Sequence, residues 1–156
     1  MNHESTSRSL RSAFHACRGL TLVEILVALL VLSIGLLGFA ALQTTSLRFN
    51  TSAYYRTQAT ALAYDLSDRM RANRQAALDG LYNMAFQAPP PACGALAVAG
   101  TVPQQDLAIW QNALACRIPQ STGSVISNGN EFTVTVRWDD SQGVEAPMEF
   151  EVTTAL

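Results

Sequence analysis

The chain has 156 residues and a formal net charge of −2, one domain's worth of polypeptide with an appendage. Its only histidines, His3 and His15, precede a long apolar run, so everything after that run lacks the usual general base and the commonest metal ligand. The acidic balance also argues against a nucleic-acid-binding chain.

Residues 1–19 are polar, basic and without periodicity, which reads as a targeting leader to be removed rather than as part of a fold. Arg8, Arg11 and Arg18 stand against Glu4 there, so the acidic excess lies beyond it. Cys17 precedes the apolar segment, whereas a lipoprotein cysteine follows one, and it reads as incidental. From Leu20 to Leu42 no proline occurs and Glu24 is the only charged side chain. At ~1.5 Å per helical residue this run matches the ~30 Å hydrocarbon core of a bilayer. A carboxylate near its start costs on the order of 3 kcal/mol in lipid and marks a function by default. The arginines before the run orient it with residues 1–19 cytoplasmic and the remainder exported. Gly35 and Gly38, one turn apart, form either a notch for another helix or a flexible point. A rival processing site is Gly38-Phe39-Ala40 before Ala41, which suits an ordinary signal peptidase. Glu24 inside the apolar stretch, and the length of that stretch, count against it.

Residues 43–79 are expected to continue the same helix, since neither proline nor glycine occurs from Phe39 to Asp79. Leu47, Tyr54, Tyr55, Leu62, Leu66 and Met70 recur at near-helical spacing as an apolar stripe. Asp65 and Arg69 are placed to pair on the solvent side. Arg69, Arg71 and Arg74 suit the negative end of a helix dipole, and Asp79-Gly80 is a stop signal. The expectation is one helix of about sixty residues, half of it in lipid and half on a globular head.

Residues 80–156 supply the head. A connector over Leu81–Gly100 contains Pro89, Pro90, Pro91 and Gly94. Gln104–Cys116 is patterned as a helix, with Pro103 at its start and Leu107, Ala108, Trp110 and Leu114 on one face; Pro119 and Gly123 should end it. Val125-Ile126, an Asn128-Gly129 turn, and Phe132, Val134, Val136 and Trp138 alternating with polar residues predict a β-hairpin. Met148, Phe150 and Val152 alternate likewise after an Asp139–Pro147 loop. If that loop turns the chain back antiparallel, Trp138 lies opposite Met148, Val136 opposite Phe150 and Arg137 opposite Glu149. The class is α+β, an antiparallel sheet covered by the stripe from Leu47 to Met70. Cys93 and Cys116 fall on the exported side, where oxidising conditions favour a bridge; two separate buried thiols are the alternative.

Gly19 before an apolar residue, then Thr21-Leu22 and Glu24, resembles the class III signal of type IV prepilins. The continuation Leu29–Gly38 with Leu42-Gln43, the stretch Tyr64–Arg74, the Trp110 region and Thr133–Trp138 resemble PilV-type minor pilins more closely than type II secretion pseudopilins. The resemblance implies a type IV pilin-like fold, with a long N-terminal helix packed on a small antiparallel sheet. It implies that prepilin peptidase cuts after Gly19 and methylates the new amino group of Leu20. It assigns Glu24 to assembly, neutralising that amine in its own or a neighbouring subunit. The implied partners are other minor and major pilins and an inner-membrane assembly platform, first at the inner membrane and then in the pilus. The rivals are a type II secretion pseudopilin and a stand-alone membrane-anchored periplasmic binding module.

No catalytic constellation competes with this reading. The sequence holds no Gly-rich phosphate loop, no nucleophile elbow and no CxxC, and it implies no cofactor or metal. Asp139, Asp140, Glu145 and Asn128 do not follow calcium-loop spacing, and Asp139–Gly143 has ordinary turn composition. Trp110 and Trp138 read as core.

Overall fold

The computed structural model describes residues 19–96 and 98–156 of the chain. Of the leader expected at 1–19, only Gly19 lies within them; Cys17, His3 and His15 lie outside. The chain divides between Thr44 and Thr45 into two units.

Helix α1, Leu22–Ala72, has 51 residues and carries most of the expected helix. Its many hydroxyls do not break it, because the helix itself satisfies them. Ser33, Thr44, Thr51, Thr57, Thr60 and Ser67 each donate to the carbonyl four residues back. Within the second unit α1 buries Ala59, Leu62, Ala63, Leu66 and Met70 along one face, with Tyr55 packed at the margin. The stripe is therefore shorter than its sequence pattern. Leu47 and Tyr54 are 66% and 55% exposed. Tyr54 points about 100° away from Tyr55, and Leu47 lies about two turns before the first position that meets the core.

The uninterrupted helix to Asp79 is corrected at Asn73. That residue leaves helical geometry at φ −118, ψ 51, and a short helix α2, Arg74–Leu78, follows. Asparagine is a weak interior helix residue because its amide finds other partners, and here the Nδ2 amide donates to the Tyr82 hydroxyl at 3.4 Å. Asp79-Gly80 does stop the helix. Gly80 takes φ +76, its N–H reaches the Ala77 carbonyl at 2.9 Å, and the Leu81 N–H reaches Ala76 at 3.0 Å. That pair of bonds is the Schellman arrangement, which favours glycine at this position.

Helix α3, Val102–Arg117, starts where Pro103 predicts, and Gln104 Oε1 accepts the Thr101 N–H at 2.9 Å. Trp110 and Leu114 are fully buried. The Trp110 indole N–H donates to the Leu62 carbonyl at 2.9 Å, which fastens α3 to α1 through the core.

Three antiparallel strands follow, β1 Thr122–Asn128, β2 Glu131–Trp138 and β3 Met148–Ala155, in the order β1-β2-β3. The expected register holds, with Trp138 opposite Met148, Val136 opposite Phe150 and Arg137 opposite Glu149. Arg137 Nε bonds Glu149 Oε1 at 2.6 Å on the solvent face. Phe132, Val134, Val136 and Trp138 are buried against α1 and α3. The α+β expectation of a long helix on a small antiparallel sheet is met.

Two local expectations are revised. The two-residue loop is Gly129-Asn130, not Asn128-Gly129, because Asn128 pairs with Glu131. Gly129 has φ +63, the first loop position of a type II′ turn, which needs only one such residue. Gly123 ends no helix; it lies in β1 under the Trp110 ring, and an added Cβ would overlap that ring. The glycine is there for close approach. Gly123→Ala should destabilise the head by about 1–3 kcal/mol through displacement of Trp110. A thermal melt of the full chain in detergent checks this, and an unchanged midpoint would mean that Trp110 has room to move.

Candidate functional site

The site expected from the sequence is the start of α1. Gly19, Leu20 and Thr21 are non-helical and Leu22 is the first helical residue. Thr21 caps the helix. Its Oγ1 accepts the Glu24 N–H at 3.2 Å, and its carbonyl accepts the Ile25 N–H at 3.3 Å. Glu24 occupies the third helical position, where a carboxylate faces the positive end of the helix dipole. Thr21-x-x-Glu24 has the spacing of a capping box, of which the structure shows the Thr21 half, the bond from the Glu24 N–H.

Gly19 and Leu20 precede this cap directly. No atom lies within 4 Å of the place a Gly19 Cβ would take, so nothing within the described chain requires glycine there. Leu20 is 71% exposed, and every residue from Leu20 to Leu42 is exposed. The helix is long and apolar enough to cross a membrane. It runs unbroken through Gly35 and Gly38, with open space beside each.

The second expected pair is joined. Cys93 and Cys116 form a disulfide with Cα atoms 4.6 Å apart, tying the connector to the last turn of α3 across 23 residues of sequence. In the chain-entropy model a loop of that length is worth about 3 kcal/mol. Reduction should therefore lower the melting point of the head clearly while leaving the helix start unaffected. Melting with and without a reductant, followed by circular dichroism, is the check.

Arg69, Arg71 and Arg74 near the end of α1 are each engaged by other groups of the chain. Arg69 bonds Asp65 at 3.0 Å and Asp106 at 3.1 Å, so its pairing reaches α3 as well as the solvent side. Arg71 bonds Asp68 and the Thr154 hydroxyl, each at 2.6 Å, and Arg74 donates to the Leu156 carbonyl at 3.0 Å. Asp106 also accepts the Tyr82 hydroxyl at 2.6 Å. Desolvation, then the bond to Asp106, raises the Tyr82 phenol to about 12, so it stays a donor throughout the ordinary pH range. Sequence reasoning missed Tyr82 and Asp106, since no spacing rule joins three distant segments. In the β2–β3 loop, Asp139 accepts bonds from Ser141 and Gly143. The Ser141 side-chain and backbone bonds hold its carboxyl below the usual range, which makes it a turn staple.

A family model, the prokaryotic N-terminal methylation motif, matches residues 14–40. No curated protein and no solved structure matches the chain. The matched stretch contains Gly19, Leu20, Thr21, Glu24 and nearly all of the exposed apolar helix. It supports a type IV pilin-like class III signal, the mark of a pilin or pseudopilin precursor processed by prepilin peptidase, and such a motif belongs to structural subunits rather than to catalysts.

Proposed function

We propose that the chain is a minor pilin of PilV type, cut after Gly19, methylated on Leu20 and carried by its first helix into a type IV pilus assembly. The observation that carries this reading is the methylation motif over residues 14–40, placed on a capped helix start with an exposed apolar continuation. Support for the PilV type comes from the resemblance of Tyr64–Arg74 and Thr133–Trp138 to that family. Residues 1–19 are then the cytoplasmic leader, 20–42 the membrane and assembly helix, 43–79 its amphipathic continuation, and 80–156 a periplasmic head.

In this role Glu24 faces the amine that cleavage creates at Leu20. Two opposite charges in a low-dielectric helix bundle attract far more strongly than in water, although desolvation offsets much of the gain. The pair sets register between subunits more than it adds stability. Partners are other minor and major pilins and the inner-membrane assembly platform, and the role is to prime or cap the fibre. A type II secretion pseudopilin would carry the same N-terminal signal. Crosslinking in intact cells, followed by mass spectrometry of the captured chains, separates the two. Pilus subunits among the products support the minor pilin, whereas secretion pseudopilins alone would reassign it.

A further inference from the structure

The two edges of the sheet are finished differently. Along β1 the connector seals the edge. Val125 exchanges both backbone bonds with Met84, at 2.8 and 2.9 Å, and the Ser127 N–H is taken by Asn83 Oδ1 at 3.1 Å. The Thr122 hydroxyl accepts the Gln87 N–H at 3.0 Å. Among the described residues nothing comparable occurs along β3. The register with β2, extended by the bond from the Leu156 N–H to the Asn130 carbonyl, turns the backbone groups of the even-numbered β3 residues inward. Those of Glu149, Glu151 and Thr153 therefore point out of the sheet. Among the described residues no group bonds to them. This edge is eight residues long, contains no proline or glycine, and pairs in continuous register. An open edge of that kind is a template for another strand.

Its side chains restrict what can add. Phe150 and Val152 are only half-buried at the margin of the core, so an incoming strand with apolar residues on that face would finish covering them. The opposite face presents Glu149 and Glu151. Glu149 is taken by Arg137, and among the described residues Glu151 bonds to nothing. A second copy of β3 fits poorly. Antiparallel self-pairing centred on Phe150 or on Glu151 sets glutamates directly opposite each other, which is destabilising. Centred on Val152, it still brings two Glu151 carboxylates to diagonal positions, and centred on Thr153, where they separate, only residues 151–155 of the strand pair. We propose that the outer edge of β3 receives an extended strand from a different polypeptide, one that alternates apolar residues with arginine or lysine. The basic residues lie over Glu151, and the backbone completes the sheet by strand addition. The inference uses the head alone and stands whether or not the minor-pilin reading holds.

The test uses the full chain in detergent micelles and a fluorescein-labelled peptide of about ten residues, a typical upper strand length, in which valine alternates with arginine. A peptide of equal composition with its valines contiguous is the comparison. The expected result is saturable binding of the alternating peptide, at least about tenfold tighter than the contiguous one. Glu151→Pro removes an outward N–H without touching the β2–β3 ladder, a position where edge strands tolerate proline. It should weaken binding about tenfold, as should Glu151→Arg, which keeps the backbone and reverses the charge. If the proline variant does not melt as the parent does, the arginine variant and the peptide comparison decide. Absent saturation, or equal binding of both peptides, would overturn the proposal. So would full binding by Glu151→Arg, or a Thr153→Cys chain that crosslinks in cells only to a second copy of itself.

Discussion

Gly19→Asp is expected to leave the chain as an uncut precursor, with the shorter mature form missing. Around Gly19 the structure leaves open space, so the folded chain would accommodate aspartate without strain. The substitution should not unfold the head, whose core lies beyond Tyr55. Any loss of maturation must then arise where a peptidase has to close on a small residue, and a charged side chain there should block cleavage essentially completely. Intact-mass analysis of the membrane fraction reads the outcome, and melting of the same sample reports on the head. Normal maturation of the variant would remove the class III reading.

Replacing Glu24 should separate assembly from folding. Two roles for the carboxylate differ in size. As a helix-start group beside the Thr21 cap it contributes about 0.3–1 kcal/mol, too little to decide whether a 51-residue helix forms. As the partner of a buried Leu20 amine, its loss would leave an uncompensated charge at about 3–5 kcal/mol. Glu24→Ala should therefore be cut after Gly19 and melt like the parent, yet recover partner pilins in pull-downs at least about tenfold less well. Glu24→Gln distinguishes the roles, because glutamine serves a capping box but cannot neutralise an amine. Failure of both variants to recover partners supports the charge. Rescue by glutamine assigns the residue to capping, and full recovery by alanine leaves α1 a plain anchor.

How far the sequence carried depends on whether a feature is local. The β2–β3 register was legible because alternation on both strands fixes which residues face inward, and a one-residue slip would turn Phe150 outward. Asp79-Gly80 was legible because only glycine readily takes the φ that a Schellman end requires. Asn73 was not, since the hydroxyl its amide meets belongs to Tyr82, nine residues on. Gly123 looks like a helix breaker in the sequence because nothing in its neighbourhood reveals the Trp110 ring lying over it. The stripe reaches Leu47 in the pattern but not in the core, because periodicity records which residues share a helix face, and not where the head begins. At the helix start the sequence points to Gly19, Leu20 and Glu24 for processing and assembly, whereas the Thr21 cap is visible only in the bond from the Glu24 N–H.

The most direct measurement is the mass of the N-terminal fragment of the wild-type chain extracted from membranes of its native cells. A fragment that begins at Leu20 and carries one added methyl group on its amine is the result predicted here. A fragment that begins at Ala41, or one that retains residues 1–19, would contradict the account, since neither leaves a methylated Leu20 for Glu24 to meet.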